Sequence, residues 1–149
     1  MSNGAQAMRA GLQAEYLPRG PGTYALLLRL DGSCDIQVGA LGGFRFEAGL
    51  YAYAGSALGG LRGRLLRYLR PGRRRHWHVD YLLERAEPVD VWTCEGAVRL
   101  ECSMAAAVAL LPGAERAVPG FGASDCRCPG HLVYLPISRF ADLPSRIVL

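Results

Sequence analysis

Residues 51–83 hold most of the side chains that could act on an anionic substrate. A YAYAG segment is followed by a Gly-rich turn, an arginine-rich segment and the sequence HWHVD. A tyrosine hydroxyl could position or deprotonate a nucleophilic water, an arginine could stabilise phosphoryl oxygens, and a carboxylate could hold a divalent cation. The candidates are Tyr24 or Tyr53 for the first role, Arg64 for the second and Glu101 for the third. Together they would form a phosphodiester-cleaving site.

Arginine supplies all 17 positive charges of the chain, and the net charge is +4. Seven of these arginines fall within residues 62–75, a density that attracts phosphate groups. The alternative is an ordinary solvated helix face. The seven are Arg62, Arg64, Arg67, Arg70, Arg73, Arg74 and Arg75.

Glu101 is expected one turn inside an otherwise apolar helix, and Cys102 is expected in the core of the same helix. A buried carboxylate needs a partner, because leaving it unpaired is costly. That partner could be a metal ion, Arg99 or Arg64. Glu95 is the weaker metal-ligand candidate because it precedes the helix.

The HWHVD segment places His76, Trp77, His78 and Asp80 close together. Two histidines at i and i+2 share one face on a strand but diverge on a helix. One of them could assist proton transfer or contact phosphate, and His78 is the better candidate. A purely structural, hydrogen-bonded histidine is the alternative.

Five cysteines occur without the spacing of a disulfide framework, so reduced thiols are expected. Cys126, Cys128 and His131 lie close enough in sequence for a structural zinc site, with Cys94 or a distant histidine as fourth ligand. Their Cys spacing is narrower than that of most zinc sites. The favoured interpretation is a loop that folds back near the candidate site, where Asp125 caps or orients another group.

Strands must position these side chains. Residues 23–30 are apolar and β-branched, and Asp31-Gly32 predicts a hairpin into residues 34–39. Residues 44–47 and 50–55 predict a second hairpin. The pattern indicates an α+β fold with one small, mainly antiparallel sheet of about four strands, flanked by helices.

Helical spacing of leucines predicts a helix over residues 61–69, which Pro71-Gly72 ends. Two further helices are expected at residues 80–84 and 97–111. Residues 89–94 and 131–136 are expected to be additional strands.

Residues 1–20 are expected to be a flexible lead-in, and residues 21–149 a single domain. The longest apolar run, residues 104–111, is too short to cross a bilayer, and the N-terminal residues lack a signal-peptide core. The sequence therefore predicts a cytoplasmic protein with no membrane association.

Gly22-Thr23-Tyr24 and Tyr53-Ala54-Gly55 resemble the two signature tripeptides of the GIY-YIG endonuclease superfamily. Arg64 and Tyr68 resemble the catalytic arginine and nearby tyrosine on that superfamily's helix, and Glu101 resembles its metal-binding glutamate. The resemblance implies single-metal hydrolysis of a DNA strand. It assigns Mg²⁺ or Mn²⁺ to Glu101, phosphate stabilisation to Arg64, and general-base or water-positioning chemistry to Tyr24.

The segments GTY, GLYAYAGSA, HWHVDYLL, EC and GFGASDCRCPGHL are similar to the stand-alone DUF123 or Uri-type predicted endonucleases. This resemblance extends to about Leu135. It implies a role in repair or processing of DNA structures, with RNA open as a substrate and a protein partner as a source of DNA specificity. The supporting residues would be Tyr53, Tyr68 and His78, and the substrate-binding residues Gly55, Ser56, Arg62, Arg67, Arg73, Arg74 and Arg75.

Two other functions stay open. Thr23 and Ala54 replace aliphatic residues of the tripeptides, and Ser56 stands where many superfamily members have a basic residue. These differences favour a non-catalytic nucleic-acid-binding module on the same fold. The third hypothesis is a zinc-stabilised interaction domain built around the Cys126 loop.

Overall fold

The computed structural model describes residues 5–72, 74–123, 126–137 and 139–149. Strands and three α-helices make up its regular structure. The strands are β1 (Gln6–Arg9), β2 (Gly22–Leu30), β3 (Cys34–Val38), β4 (Gly42–Phe46), β5 (Gly49–Ala57), β6 (Glu87–Glu95), β7 (Glu115–Arg116), β8 (Leu132–Leu135) and β9 (Arg146–Val148). The α-helices are α1 (Leu61–Tyr68), α2 (His78–Leu82) and α3 (Glu101–Ala109).

One antiparallel sheet runs in the order β7-β8-β5-β2-β6-β1-β9, and β3 and β4 form a separate hairpin. The central strand β2 is buried along its whole length except at Arg29. Because side chains alternate across a strand, Tyr24 and Leu26 face one layer of the core while Ala25 and Leu27 face the other. A strand that is apolar on both faces needs cover on both sides of the sheet.

Helices α1 and α2 and the β3–β4 hairpin cover the Tyr24 face, and α3 covers the opposite face. Helix α1 has eight residues, too few to be stable alone. Leu61 and Leu65 are fully buried, and each such burial contributes about 2 kcal/mol. Tertiary packing therefore holds the helix in place. The covering side chains include Leu61, Leu65, Val79 and Phe46 on the first face, and Met104, Ala105 and Val108 on the second.

The predicted fold class, α+β with an antiparallel sheet and flanking helices, is confirmed. The predicted strand pairing is wrong. β3 pairs with β4 instead of β2, and β5 pairs with β2 and β8 instead of β4. The reason is burial: β5 is apolar on both faces and matches β2, whereas β3 and β4 each leave residues exposed.

Other elements differ in extent. The sheet has seven strands instead of about four, and residues 6–9 of the expected lead-in form β1, which pairs with β6 and β9. Helix α3 begins at residue 101 instead of 97, because the Leu100 N–H donates to the Thr23 hydroxyl (3.1 Å). The predicted helices near residues 61–69 and 80–84, and the strands near 89–94 and 131–136, are present as α1, α2, β6 and β8.

Across the described ranges, every helix falls short of the length and apolar character that crossing a bilayer requires.

A buried ion pair joins α1 to α2. The Asp80 carboxylate accepts two hydrogen bonds from the Arg67 guanidinium (3.0 and 3.2 Å) and two from the backbone N–H groups of His76 (2.7 Å) and Trp77 (2.8 Å). Burial alone would raise the pKa of Asp80, but the hydrogen bonds from Arg67, Trp77 and His76 outweigh it and lower that pKa. The ionised carboxylate thus fixes the chain where α2 begins.

We expect Asp80→Asn to lower the free energy of unfolding by about 3 kcal/mol at pH 7, because the variant leaves Arg67 without its buried counter-charge. The folded pKa of Asp80 lies below its unfolded value, so this stabilisation is present above the unfolded pKa and is lost as pH falls through the folded pKa. Urea unfolding of both proteins at pH 7 and at about pH 3 should show the difference shrinking in acid.

The matched control is Asp31→Asn, which alters an ion pair with Arg29 in which the Asp31 side chain is 84% exposed. That change should cost less than about 1 kcal/mol. Equal losses in the two variants would show that burial of the Asp80 pair has no special effect.

Candidate functional site

A single cleft of about 260 Å³ gathers most of the predicted site residues. Its walls come from β2, β5, α1, the start of α2, the start of α3 and the loop before β8. Residues far apart in sequence therefore meet at one end of the central strands. Those predicted from sequence that line it are Tyr24, Tyr53, Gly55, Ser56, Arg64, His78 and Glu101.

Strand register brings the two signature tyrosines together. Tyr24 of β2 lies opposite Gly55 of β5, and Tyr53 precedes Gly55 by two residues on the same face. The Tyr24 and Tyr53 ring centroids are 6.4 Å apart. A Cβ atom at residue 55 would lie only 2.5 Å from the Tyr24 hydroxyl oxygen and 2.7 Å from Cζ. Glycine is therefore required where the Tyr24 ring crosses β5.

The Tyr24 hydroxyl is hydrogen-bonded to the Tyr68 hydroxyl at 2.5 Å. Burial raises the pKa of Tyr24 well above its ordinary value, the nearby phenols of Tyr68 and Tyr53 raise it further, and Arg64 opposes them. Burial also raises the pKa values of Tyr53 and Tyr68. All three phenols are therefore neutral at pH 7. Tyr68, 2% exposed, lies behind Tyr24 and outside the cleft lining.

Arg64 presents its charge to the cleft. The guanidinium carbon lies 4.4 Å from the Trp77 ring centroid, and Nη1 donates to the Ser56 carbonyl (3.1 Å). Among the described residues, no carboxylate lies within ion-pair distance (4.0 Å) of Arg64. Stacking on an indole fixes a guanidinium without neutralising it. Arg64 therefore keeps a positive charge available for an anion.

The other arginines of residues 62–75 do not line the cleft in the part of the chain that the structure describes. Arg67 is paired with Asp80, and Arg75 with Glu84 (2.5 and 2.7 Å). In the described part of this segment, these two arginines thus form ion pairs, Arg62 donates to the Leu17 carbonyl (2.9 Å), and Arg64 lines the cleft. Arg62, Arg70 and Arg74 also lie outside the cleft lining, and Arg73 falls outside the described residues.

Glu101 is the first residue of α3, not one turn inside it, because the helix starts later than predicted. Its half-buried carboxylate accepts a hydrogen bond from the Ser56 hydroxyl, which lies 3.3 Å from the Thr23 hydroxyl. The positive end of the α3 dipole favours a carboxylate there. Of the expected alternatives, neither Arg64 nor Arg99 forms an ion pair with it within the described ranges.

His78 and His76 diverge, as expected for a helical start. His78 Nδ1 accepts a hydrogen bond from the Gly122 backbone N–H (2.8 Å), and its ring packs against Phe121. Burial lowers the pKa of His78, so its imidazole is neutral at pH 7. Since Nδ1 is the acceptor, Nε2 carries the hydrogen. His76 is exposed and packs edge-on to Trp77.

Three thiols and one imidazole form a second cluster beside the cleft. The ligand atoms of Cys102, Cys126, Cys128 and His131 all lie within 4.8 Å of one another, and this Cys₃His cluster could hold a metal ion. The expected fourth ligand was wrong. Cys94 is buried on β6, and Cys102, expected in a helix core, takes its place at the second position of α3. No sequence spacing signals this, because only packing of α3 against the loop brings Cys102 there.

Sequence analysis named Trp77 only as part of the HWHVD segment and His131 only as a possible zinc ligand, and it gave Gly122 no role. Trp77 contacts both Arg64 and Arg67, with 4.4 and 4.6 Å from guanidinium carbon to ring centroid. Its position in the HWHVD segment, shortly after the arginines, was the available signal. Gly122 lines the cleft, and His131 both lines it and belongs to the Cys₃His cluster. The predicted role of Asp125 lies outside the described residues.

Fold and site define a small α+β protein with a polar cleft bordered by an arginine and a glutamate and adjoined by a Cys₃His cluster. The family model described as "Domain of unknown function DUF123" matches residues 23–146, so the chain belongs to the DUF123 family. Neither a search of curated proteins nor a search of solved structures gives a match.

We expect Gly55→Ala to displace the Tyr24 ring and to lower the free energy of unfolding by about 2 kcal/mol, because the new Cβ overlaps the phenol. The control is Gly63→Ala in α1, where nothing lies within 4 Å of a new Cβ. That change should leave stability unchanged or raise it by about 0.5 to 1 kcal/mol. Urea unfolding checks both, and a harmless Gly55→Ala would contradict the close packing of Tyr24.

Proposed function

We propose that this chain is a metal-dependent endonuclease that hydrolyses phosphodiester bonds in DNA and shares the GIY-YIG arrangement of site residues. The supporting observation is that Tyr24, Arg64 and Glu101 line one cleft although they come from β2, α1 and α3. The sequence resemblance supplied these three residues, and the fold supplies their meeting point.

Arg64 would stabilise the negative charge that develops on the phosphoryl oxygens. Its guanidinium is held by Trp77 and the Ser56 carbonyl and lies beside the Tyr24 and Tyr68 hydroxyls. A donor that is already oriented stabilises the transition state more strongly than a mobile one. No carboxylate of the described residues pairs with this charge, so it is available to a phosphate ligand.

Glu101 would hold the divalent cation. Mg²⁺ and Mn²⁺ prefer oxygen ligands, and Mg²⁺ is commonly bound by one or two carboxylates together with waters and substrate phosphates. Among the described residues lining the cleft, Glu101 is the sole carboxylate, and the Ser56 hydroxyl lies next to it. This oxygen donor set fits such a cation. When bound, the cation would polarise the phosphate and lower the pKa of a bound water.

Tyr24 would orient the attacking water as a hydrogen-bonding phenol. Its raised pKa makes the phenolate rare at pH 7, so orientation suits it better than proton abstraction. Tyr68 holds the Tyr24 hydroxyl in place, and Tyr53 packs beside it. His78 has its Nε2 hydrogen available for a phosphate oxygen.

The test is a cleavage assay on single-stranded, duplex, flap and branched DNA with Mg²⁺ or Mn²⁺ present. We expect nicking that EDTA abolishes and that Arg64→Ala or Glu101→Gln reduces at least about 100-fold. The reason is that Arg64→Ala removes the donor to the phosphoryl oxygens, and Glu101→Gln removes the charged ligand of the cation.

Matched controls are Arg45→Ala, on the exposed β3–β4 hairpin, and Glu95→Gln, at the exposed end of β6. Both should retain nicking. Metal-independent, salt-sensitive DNA binding without cleavage would support the non-catalytic binding module instead. Cleavage of RNA alone would replace the proposed substrate, and nicking that survives both Arg64→Ala and Glu101→Gln would refute the mechanism.

A further inference from the structure

The Cys₃His cluster is distinct from the Glu101 cation position in its donor chemistry. It offers three sulfurs and one ring nitrogen, whereas Glu101 and Ser56 offer oxygen. Soft thiolate ligands select zinc and related metals over Mg²⁺. We propose that Cys102, Cys126, Cys128 and His131 bind a structural Zn²⁺ ion that joins the start of α3 to the loop before β8.

The distances between the ligand atoms support the assignment of zinc to this cluster. With Zn–S near 2.3 Å and Zn–N near 2.0–2.1 Å, a tetrahedral site separates two sulfurs by about 3.8 Å and a sulfur from a nitrogen by about 3.5 Å. The Sγ atoms of Cys126 and Cys128 are 3.5 Å apart. His131 Nε2 lies 3.5 Å from the Sγ atoms of both Cys102 and Cys126. Three of the six ligand pairs therefore have separations close to those of tetrahedral zinc, and all six lie within 4.8 Å.

Backbone contacts arrange these ligands independently of any ion. The Gly120 N–H donates to the Pro129 carbonyl (3.0 Å), and the His131 N–H donates to the Phe121 carbonyl (2.7 Å). These bonds fold the loop back on itself. At residue 130 the backbone has φ of +142°, and a Cβ there would lie 3.0 Å from the Val118 carbonyl oxygen, so glycine is required.

Charge balance also fits. Three thiolates and one neutral imidazole around Zn²⁺ carry a net charge of about −1. The guanidinium of Arg116 donates to the Gly130 carbonyl beside the cluster, which places a positive charge nearby. With four protein ligands the site is closed, as structural zinc sites are, so it has no open position for a reacting water.

A zinc ion in the Cys₃His cluster would position two walls of the neighbouring cleft. Cys102 directly follows Glu101, so a metal bound to Cys102 restrains the first turn of α3. On the other side of the cluster, His131 and Gly122 line the cleft, and the Gly122 N–H holds His78. Zinc would therefore fix two walls of the cleft relative to each other without taking part in the chemistry there.

The experiment measures metal content and does not depend on nuclease activity. The full chain is purified under reducing conditions after growth with added zinc, and zinc, iron and inorganic sulfide are quantified. We expect about one zinc per chain in the wild type, loss of most of it in Cys102→Ser and Cys128→Ser, and retention in the control Cys34→Ser on β3.

Two further measurements keep the result decisive if a variant folds poorly. Wild-type protein reconstituted with Co²⁺ should show thiolate-to-cobalt charge transfer and tetrahedral ligand-field bands. Chelation of wild-type zinc should lower the melting temperature by on the order of 10 °C. Wild-type protein that neither retains zinc nor shows the cobalt bands would overturn the proposal, and iron with inorganic sulfide would overturn the assignment to zinc.

Discussion

The close approach of the Tyr24 ring to Gly55 is the constraint from which the site follows. It requires that Tyr24 of β2 pair with Gly55 of β5, within nine continuous residue pairs, and it leaves no room for any side chain at residue 55. A slip by one residue would send Tyr24 to the α3 face of the sheet, since side chains alternate. The apolar alternation of both strands enforces the register, so the same pattern that builds the core also places a buried phenol at the cleft. Helix α1 then brings Tyr68 and Arg64 to that phenol.

The arginine-rich segment has two functions that composition cannot separate. Arg67 neutralises a buried carboxylate, and together with Asp80 it fixes the backbone at Trp77. Trp77 in turn contacts Arg64, whose charge no described carboxylate neutralises. One arginine therefore contributes to structure by being paired, and its neighbour contributes to the cleft by being left unpaired. Arg64 and Arg67 are three positions apart, less than one helical turn, yet a carboxylate pairs with Arg67 and no described carboxylate pairs with Arg64.

Sequence patterns predicted well what depends on local physics. Leucines at helical spacing correctly predicted α1, and apolar runs correctly predicted strands at β2, β5 and β6. The patterns failed where strand pairing depends on long-range burial. Asp31-Gly32 is a local turn signal, but β2 is apolar on both faces, and the burial of neighbouring strands determines that β5 and β6 pair with β2. Cys102 was missed for the same reason, because its distance from Cys126 depends on how α3 docks. Tyr24, Arg64 and Glu101 were found through a resemblance, and no spacing rule would have placed them in one cleft.

The protonation states of the cleft side chains limit which of them could act as a base in the proposed hydrolysis. Tyr24 and Tyr68 have raised pKa values and remain phenols at pH 7, and His78 presents an N–H at Nε2 because Gly122 occupies Nδ1. Tyr24 and His78 line the cleft and can donate hydrogen bonds to a phosphate or orient a water, but neither readily accepts its proton, and Tyr68 lies behind Tyr24. Among the described residues that line the cleft, only Glu101 carries a carboxylate. Under the proposed function, Glu101 would hold the cation on the α3 side of the cleft, and Arg64 would stabilise phosphate charge on the α1 side. The proposed substrate would lie between them, at one end of the adjacent strands β2 and β5.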